Sequence, residues 1–187
     1  VMCSSEKMIS LGFTDSKFPQ GVHVCQIFSD DDERKTALEE FLASGIKDGE
    51  KASCFSEKIQ FDQLKEFFKE KDISIDDEID KGNLTLSGTS EVYFQNNQFK
   101  PETMLDLLKQ YHEQALVDGY TGSRVIGEMT PEIENVEGGD RLIEYEAKVS
   151  LLVEDYPVTA VCQYDARAFD GATILDVLKV HPYMVLH

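Results

Sequence analysis

The regular alternation of β-rich runs with stretches of helical periodicity constrains this chain more than any other feature. Residues 22–28 (VHVCQIF) read as a strand, and residues 31–44 follow with Leu38, Phe41 and Leu42 at helical spacing. Gly45 and Gly49 are expected to end that helix. Strands are expected at 51–56, 83–87, 123–129, 158–164 and 183–186, and helices at 60–71, 101–117, 140–153 and 170–180. Pro101 suits the first turn of its helix, where the donor it lacks would be unused. Residues 91–99 read as a loop or small hairpin, 131–139 as an acidic loop, and 72–80 as solvated helix ends and loops. Strands that alternate with helices of this length form parallel βαβ units. The expectation is therefore an α/β fold: a three-layer, doubly wound, mainly parallel sheet.

The 187 residues fit one domain over 1–187. With 41% hydrophobic and 10% aromatic residues, the chain has enough apolar surface for a real core. Its charge excludes two classes of partner. Eighteen Lys and Arg against 36 Asp and Glu give 18 − 36 = −18, so direct binding to nucleic acid or to an anionic membrane is not expected. No apolar run is long enough to span a bilayer, and residues 1–7 lack the apolar stretch of a signal peptide. Cys3, Cys25, Cys54 and Cys162 form no C-x-x-C pair. Cys25, Cys54 and Cys162 fall in strand-like runs and read as buried, inert thiols, in keeping with a cytoplasmic protein.

The segment after the first strand runs Ser29-Asp30-Asp31-Asp32-Glu33-Arg34-Lys35-Thr36. Lys35 and Thr36 stand where a phosphate-binding loop carries its Lys and Ser/Thr, but Ser29 and Arg34 occupy its two glycine positions. The four acids between them would repel phosphate. Like charges 4 Å apart repel by about 4 kcal/mol at an effective dielectric of 20, whereas an exposed helix N-terminus offers an anion only about 0.3–1 kcal/mol. Residues 23–57 resemble the first strand, loop, helix and second strand of RecA- and KaiC-like ATPases, so that framework is expected with a degenerate P-loop. Neither nucleotide hydrolysis nor any cofactor is expected.

A second resemblance spans about residues 20–186. It rests on residues 21–25 (GVHVC), 41–45 (FLASG) with Gly49-Glu50, Gly82-Asn83-Leu84, and Tyr93 with 99–101 (FKP). It continues through Gly119-Tyr120, 124–129 (RVIGEM), 144–146 (EYE), 161–165 (VCQYD) and His181-Pro182. In this order and spacing the motifs resemble the MEDS family, the methanogen/methylotroph DcmR-type sensory domain. Phe28 and Thr130-Pro131 depart from the family pattern, which often has Tyr at the first place and commonly an aromatic residue after the G-E-M-[ST] motif. The resemblance implies a non-catalytic module that senses one-carbon or hydrocarbon-derived compounds and serves a signal-transduction or transcription-regulatory output, in cis or in trans. Residues 1–17 are then an N-terminal extension, and the module either belongs to a longer protein or stands alone.

In a doubly wound sheet, ligands bind beyond the carboxyl ends of the strands. That rule selects Phe28, Ser29, Glu57, Glu128, Met129, Gln163, Tyr164 and Asp165 as the ligand-binding set, with Glu128 foremost. Of Glu144 and Glu146, two apart on a helix, one should face solvent. No nucleophile–base arrangement is legible, so no catalytic residue is assigned. His23 and His181 should lie at the opposite end of the sheet in structural hydrogen bonds. A rival reading groups His23, Cys25 and His181 as a metal site. The partners expected are a small organic ligand and an output domain; a homodimer is compatible. The alternatives to sensing are a ligand-free protein-interaction scaffold and a residual nucleotide-binding protein.

Overall fold

A computed structural model describes residues 7–186. A short antiparallel pair opens the chain, β1 (Met8–Ser10) with β2 (Lys17–Pro19). The main sheet is built from β3 (His23–Phe28), β4 (Lys51–Phe55), β5 (Leu84–Ser87), β6 (Ser123–Glu128), β7 (Thr159–Asp165) and β8 (Tyr183–Leu186). Its order is β5-β4-β6-β7-β3-β8, and every pairing is parallel. The helices are α1 (Asp31–Lys47), α2 (Phe61–Glu70), α3 (Ile75–Asp80), α4 (Thr89–Tyr93), α5 (Pro101–Val117), α6 (Leu142–Asp155) and α7 (Gly171–Val180). The expected doubly wound α/β architecture is therefore present.

Two cores flank the sheet, as an all-parallel sheet requires. One holds Val24, Ala52, Cys54, Ile126 and Val161 from the strands against Leu38, Phe41 and Leu42 of α1 and Leu64 and Phe68 of α2. The other holds Cys25, Ile27, Val125, Ala160 and Tyr164 against Met104, Leu108, Tyr145, Val149 and Val177 of α5, α6 and α7. Strands β3 and β6 are buried at every residue, which explains why they read as continuous apolar runs rather than alternating ones. Cys25 and Cys54 are buried free thiols, and burial pushes both thiols up. Cys3 and His187 lie outside the described residues. No helix among those described is long and apolar enough to cross a membrane.

The elements differ from the sequence expectation in four places. Helix α1 runs through Gly45 to Lys47 instead of stopping there. Gly45 is needed for another reason: a Cβ at this position would meet Arg124 Cδ at 2.3 Å. Residues 91–99 form no hairpin. Short α4 and a 3-10 turn at Gln95–Asn97 replace it, with the Glu91 carboxylate accepting from the Gly88 amide. The acidic stretch 72–80 contains α3, whose N-cap Ser74 accepts from the Asp77 amide. The segment read as an extension includes β1, and Ile9 and Leu11 are buried in the α1-side core.

Arg124 and Glu50 form a fully buried ion pair beneath that core. Arg124 Nη1 also donates to Phe41 O at 3.0 Å and Ser10 O at 3.2 Å, and its guanidinium carbon lies 4.8 Å from the Phe41 ring centroid. Gln20 Nε2 donates to the other Glu50 oxygen at 2.9 Å. Removing one partner leaves an uncompensated buried charge, which typically costs about 3–5 kcal/mol. Glu50→Ala is expected to lose that much in urea unfolding. The double variant Glu50→Leu/Arg124→Met should recover most of it, and equal loss in the single and double variants would refute this reading.

Candidate functional site

The carboxyl ends of β3, β4, β6 and β7 meet at one edge of the sheet. The loop from β3 enters α1 there, with Asp30 as N-cap: its carboxylate accepts from the amides of Asp32 at 2.8 Å and Glu33 at 3.3 Å. The chain's own carboxylate thus takes the amides that a phosphate would use. Lys35 reaches away from the loop to Glu39, at 3.8 Å one turn along α1.

The residue before it takes the central place. Arg34 is buried, and its Nη1 lies 3.5 Å from Glu128 Oε2 at the end of β6. Ser56, just after β4, donates to the same oxygen at 2.7 Å. Lys58 Nζ reaches Glu128 Oε1 at 2.9 Å and stands 3.9 Å from both Asp31 and Asp165. Arg167 forks onto Asp165 at 2.8 and 2.7 Å and touches Asp31 at 3.1 Å. Three cations (Arg34, Lys58, Arg167) thus meet three carboxylates (Asp31, Glu128, Asp165), so this network is itself balanced in charge.

Beside this network opens a cleft of about 510 Å³, lined by Glu57, Lys58, Ser90, Phe94, Glu128, Met129, Thr130, Pro131, Glu132, Asp165 and Ala168. Its volume lies within the range of small-molecule sites. Phe94, Met129, Pro131 and Ala168 give apolar surface; Lys58 and the carboxylates give polar points. Glu57 also fastens the start of α4. Its Oε1 accepts from the Ser90 amide and hydroxyl, both at 2.6 Å, and these bonds hold its carboxyl below the usual range.

Of the eight residues chosen from sequence, Glu57, Glu128, Met129 and Asp165 line this cleft. Ser29 is exposed at the end of β3 but does not line it. Phe28, Gln163 and Tyr164 are fully buried and also stand outside the lining. Phe28 lies under Lys58, whose Nζ is 5.8 Å from the ring centroid. Gln163 points toward α1, donating to Gln26 Oε1 at 2.7 Å and Arg34 O at 3.0 Å. Tyr164 points to the opposite face, where its hydroxyl donates to Glu146. The strand's two-residue period causes this, because neighbouring side chains leave opposite faces. Lys58, Arg34 and Arg167 were not selected from sequence, although a lone cation just after a strand end, among acids, was a signal available there.

The α6 side of the sheet holds a second polar centre. Glu146 is buried and Glu144 is not, as their spacing implied; Glu144 instead meets Arg141 and Lys148 outside. Around Glu146 stand His23, Cys162 and His181, with one potential ligand atom from each of the four within 4.8 Å of all the others. Cys25, which the sequence grouped with the two histidines, is not in this set. It sits beside Cys162 on β3, paired with it in register, and Cys162 takes its place. Burial pushes Glu146 upward, but the two imidazoles outweigh it and hold the carboxyl well below its usual range. Burial holds His23 down, whereas at His181 the adjacent carboxylate more than offsets burial and raises it.

The six-stranded parallel sheet with its crevice at the strand ends defines a RecA-like α/β domain. The chain is similar in fold to the flagellar accessory protein FlaH from Methanocaldococcus jannaschii, with TM-score 0.70, 9% identity, and coverage of 97% of this chain and 80% of that one. It is also similar to a KaiC-like protein from Pyrococcus horikoshii, with TM-score 0.59, 13% identity, and coverage of 86% and 71%. Residues 22–182 match the MEDS family, the MEthanogen/methylotroph, DcmR Sensory domain, and the chain belongs to that family. The transcriptional repressor DcmR of Methylorubrum extorquens is 33% identical over 79 residues, which span 42% of this chain and 30% of the repressor. A sensory, regulatory role follows from the family.

Asp165 gives the network a pH signature. The Arg167 hydrogen bonds, against the opposing effect of burial, hold its carboxyl below the ordinary 3.8. Its folded pKa is depressed, so its stabilisation is complete above 3.8 and is lost as pH falls toward the folded value. Arg167 is half exposed, so the pair contributes no more than about 1 kcal/mol. Asp165→Asn should cost that amount or less at pH 7 and narrow its gap to the parent below about pH 4 in thermal unfolding. A constant gap across that range would contradict the assignment.

Proposed function

We propose that this chain is a non-catalytic sensory module that binds a small organic compound in the cleft beside Glu128 and passes the event to a regulatory output. The observation that carries the reading is the cleft: open at the strand ends, part apolar, with Lys58 as its one cation and a closed ion-pair network as its floor. Such a lining suits a small neutral molecule with one polar handle, in keeping with the one-carbon or hydrocarbon-derived ligand implied by the family resemblance. It does not suit a nucleotide. Asp30 occupies the amides of the α1 N-terminus, Lys35 pairs with Glu39, and Glu128 is committed to Ser56, Lys58 and Arg34. The output, carried in cis or in trans, responds only if the ligand binds two states of the module with different affinity.

Calorimetry and thermal shift against Mg-ATP, ADP and a panel of one-carbon and short-chain alcohols, aldehydes and halides test this. The expected result is a response to a panel compound, none to either nucleotide, and loss of the response in Ala168→Trp. Ala168 is exposed on the cleft wall, so that substitution should change stability by no more than about 0.5 kcal/mol. Tight Mg-ATP binding or turnover would overturn the proposal, and so would a panel response that survives the filled cleft.

A further inference from the structure

The centre around Glu146 consists of four side chains from four separate elements: His23 opens β3, Glu146 lies on α6, Cys162 lies on β7, and His181 joins α7 to β8. His23, Glu146 and His181 are each at least nine-tenths buried. Hydrogen-bond partners decide how the imidazoles face. His181 Nδ1 lies 2.8 Å from Val177 O; a carbonyl only accepts, so Nδ1 carries the proton. Ser150 Oγ donates its one proton to Val180 O at 2.8 Å. It must therefore accept from His23 Nδ1, also at 2.8 Å. With Nδ1 carrying a proton in each ring, both turn Nε2 inward, toward Glu146 Oε2, at 3.3 Å from His23 and 3.4 Å from His181, and it is the neutral form of each ring that offers a lone pair there. Among the described residues His181 Nε2 makes no hydrogen bond, and its contact with Glu146 lacks hydrogen-bond geometry.

The fourth atom is Cys162 Sγ, 3.3 Å from His23 Nε2 and 3.5 Å from Glu146 Oε2. The other carboxylate oxygen, Oε1, is held by the Tyr164 hydroxyl. Two imidazole lone pairs, a carboxylate oxygen and a sulfur therefore converge, with outward hydrogen bonds orienting both rings and the carboxylate. This is the support that metal ligands receive from the groups behind them. The spacing agrees. Metal–N and metal–O bonds of about 2.0–2.2 Å and a metal–S bond of about 2.3 Å give tetrahedral edges of roughly 3.3–3.6 Å.

We propose that His23, Glu146, Cys162 and His181 form a closed, four-coordinate site for a divalent zinc-type cation. The mixed nitrogen, sulfur and oxygen donors select a borderline ion over calcium or magnesium. On binding, the Cys162 S–H bond breaks, the proton leaves to solvent, and the sulfur electron pair forms the metal bond. The dication then meets one thiolate and one carboxylate, so the buried site is neutral. With all four positions filled by protein, the ion is structural. It clamps the α7–β8 junction onto β3, β7 and α6.

Cobalt(II) added to the chelator-stripped chain tests the site. The expected result is one ion per chain, the intense visible bands of four-coordinate cobalt, and a near-ultraviolet thiolate-to-metal band. That band should vanish in Cys162→Ser and persist in Cys25→Ser, with far-ultraviolet circular dichroism checking that both variants fold. Ser150→Ala leaves all four ligands in place but removes the partner that orients His23, together with the bond to Val180 O. It should weaken cobalt binding by about 10–100-fold with the spectrum unchanged. The proposal is overturned if the folded, stripped chain takes up no cobalt at one equivalent, if the bands are those of a six-coordinate ion, or if the thiolate band follows Cys25. No uptake would leave the four groups as an ion pair of Glu146 with a protonated His181.

Discussion

The fold depends on one buried charge and on the space left for it. Arg124 enters the α1-side core from the first turn of β6, where its guanidinium is met by Glu50, by the carbonyls of Phe41 and Ser10, and by the Phe41 ring. Those partners come from β1, α1 and the turn into β4, so one side chain fixes how four segments meet. Gly45 leaves the helix surface open where the arginine lies, and Gly122 does the same for Gln20, whose Nε2 would stand 1.8 Å from an added Cβ. Such a pair repays the desolvation of its charges only when every hydrogen bond is in place. Its contribution is therefore better understood as specificity of arrangement than as net stability.

With the amino-terminal end of the sheet locked in this way, the carboxyl ends are free to carry a site. The helix dipole of α1 and the convergence of strand ends are features of the framework, and an ATPase would use them to hold phosphate. Here the chain satisfies them internally. Asp30 takes the helix amides, and three cations are matched to three carboxylates across Asp31, Arg34, Lys58, Glu128, Asp165 and Arg167. Arg34 makes Glu128 part of a closed floor, and the open space lies to the side, in the cleft lined by Met129 and Phe94.

Much of this was legible in the sequence because it depends on local periodicity. The six strands of the main sheet, the long helices and the strand-end location of the crevice follow from spacing alone. Glu57, Glu128, Met129 and Asp165 were reachable by the same rule. Phe28, Gln163 and Tyr164 lie outside the cleft lining, because a rule about strand ends says nothing about which face a side chain leaves by. The end of α1 was misjudged at Gly45 because that glycine answers to Arg124, far away in the chain. Cys162 was hidden from the histidine grouping for a similar reason. Which of two cysteines on adjacent strands meets Glu146 is a matter of register and rotamer, and neither is written in composition.

Strand β7 brings the two polar centres close together. Asp165 belongs to the cleft network, and its neighbour Tyr164 holds Glu146 on the other face. Yet β7 lies between β6 and β3, paired with β6 over 159–163 and with β3 over 160–165. It cannot slide without breaking two ladders at once. Lys58 and Arg167 lie outside the sheet, on the segments that follow β4 and β7, and both are half exposed. They hold their carboxylates through ion pairs that exchange at small cost. A ligand that competes for Lys58 would release those segments while the buried centre around Glu146 keeps the sheet fixed. The division follows from burial: the exposed ion pairs can exchange partners at small cost, and the buried ones cannot.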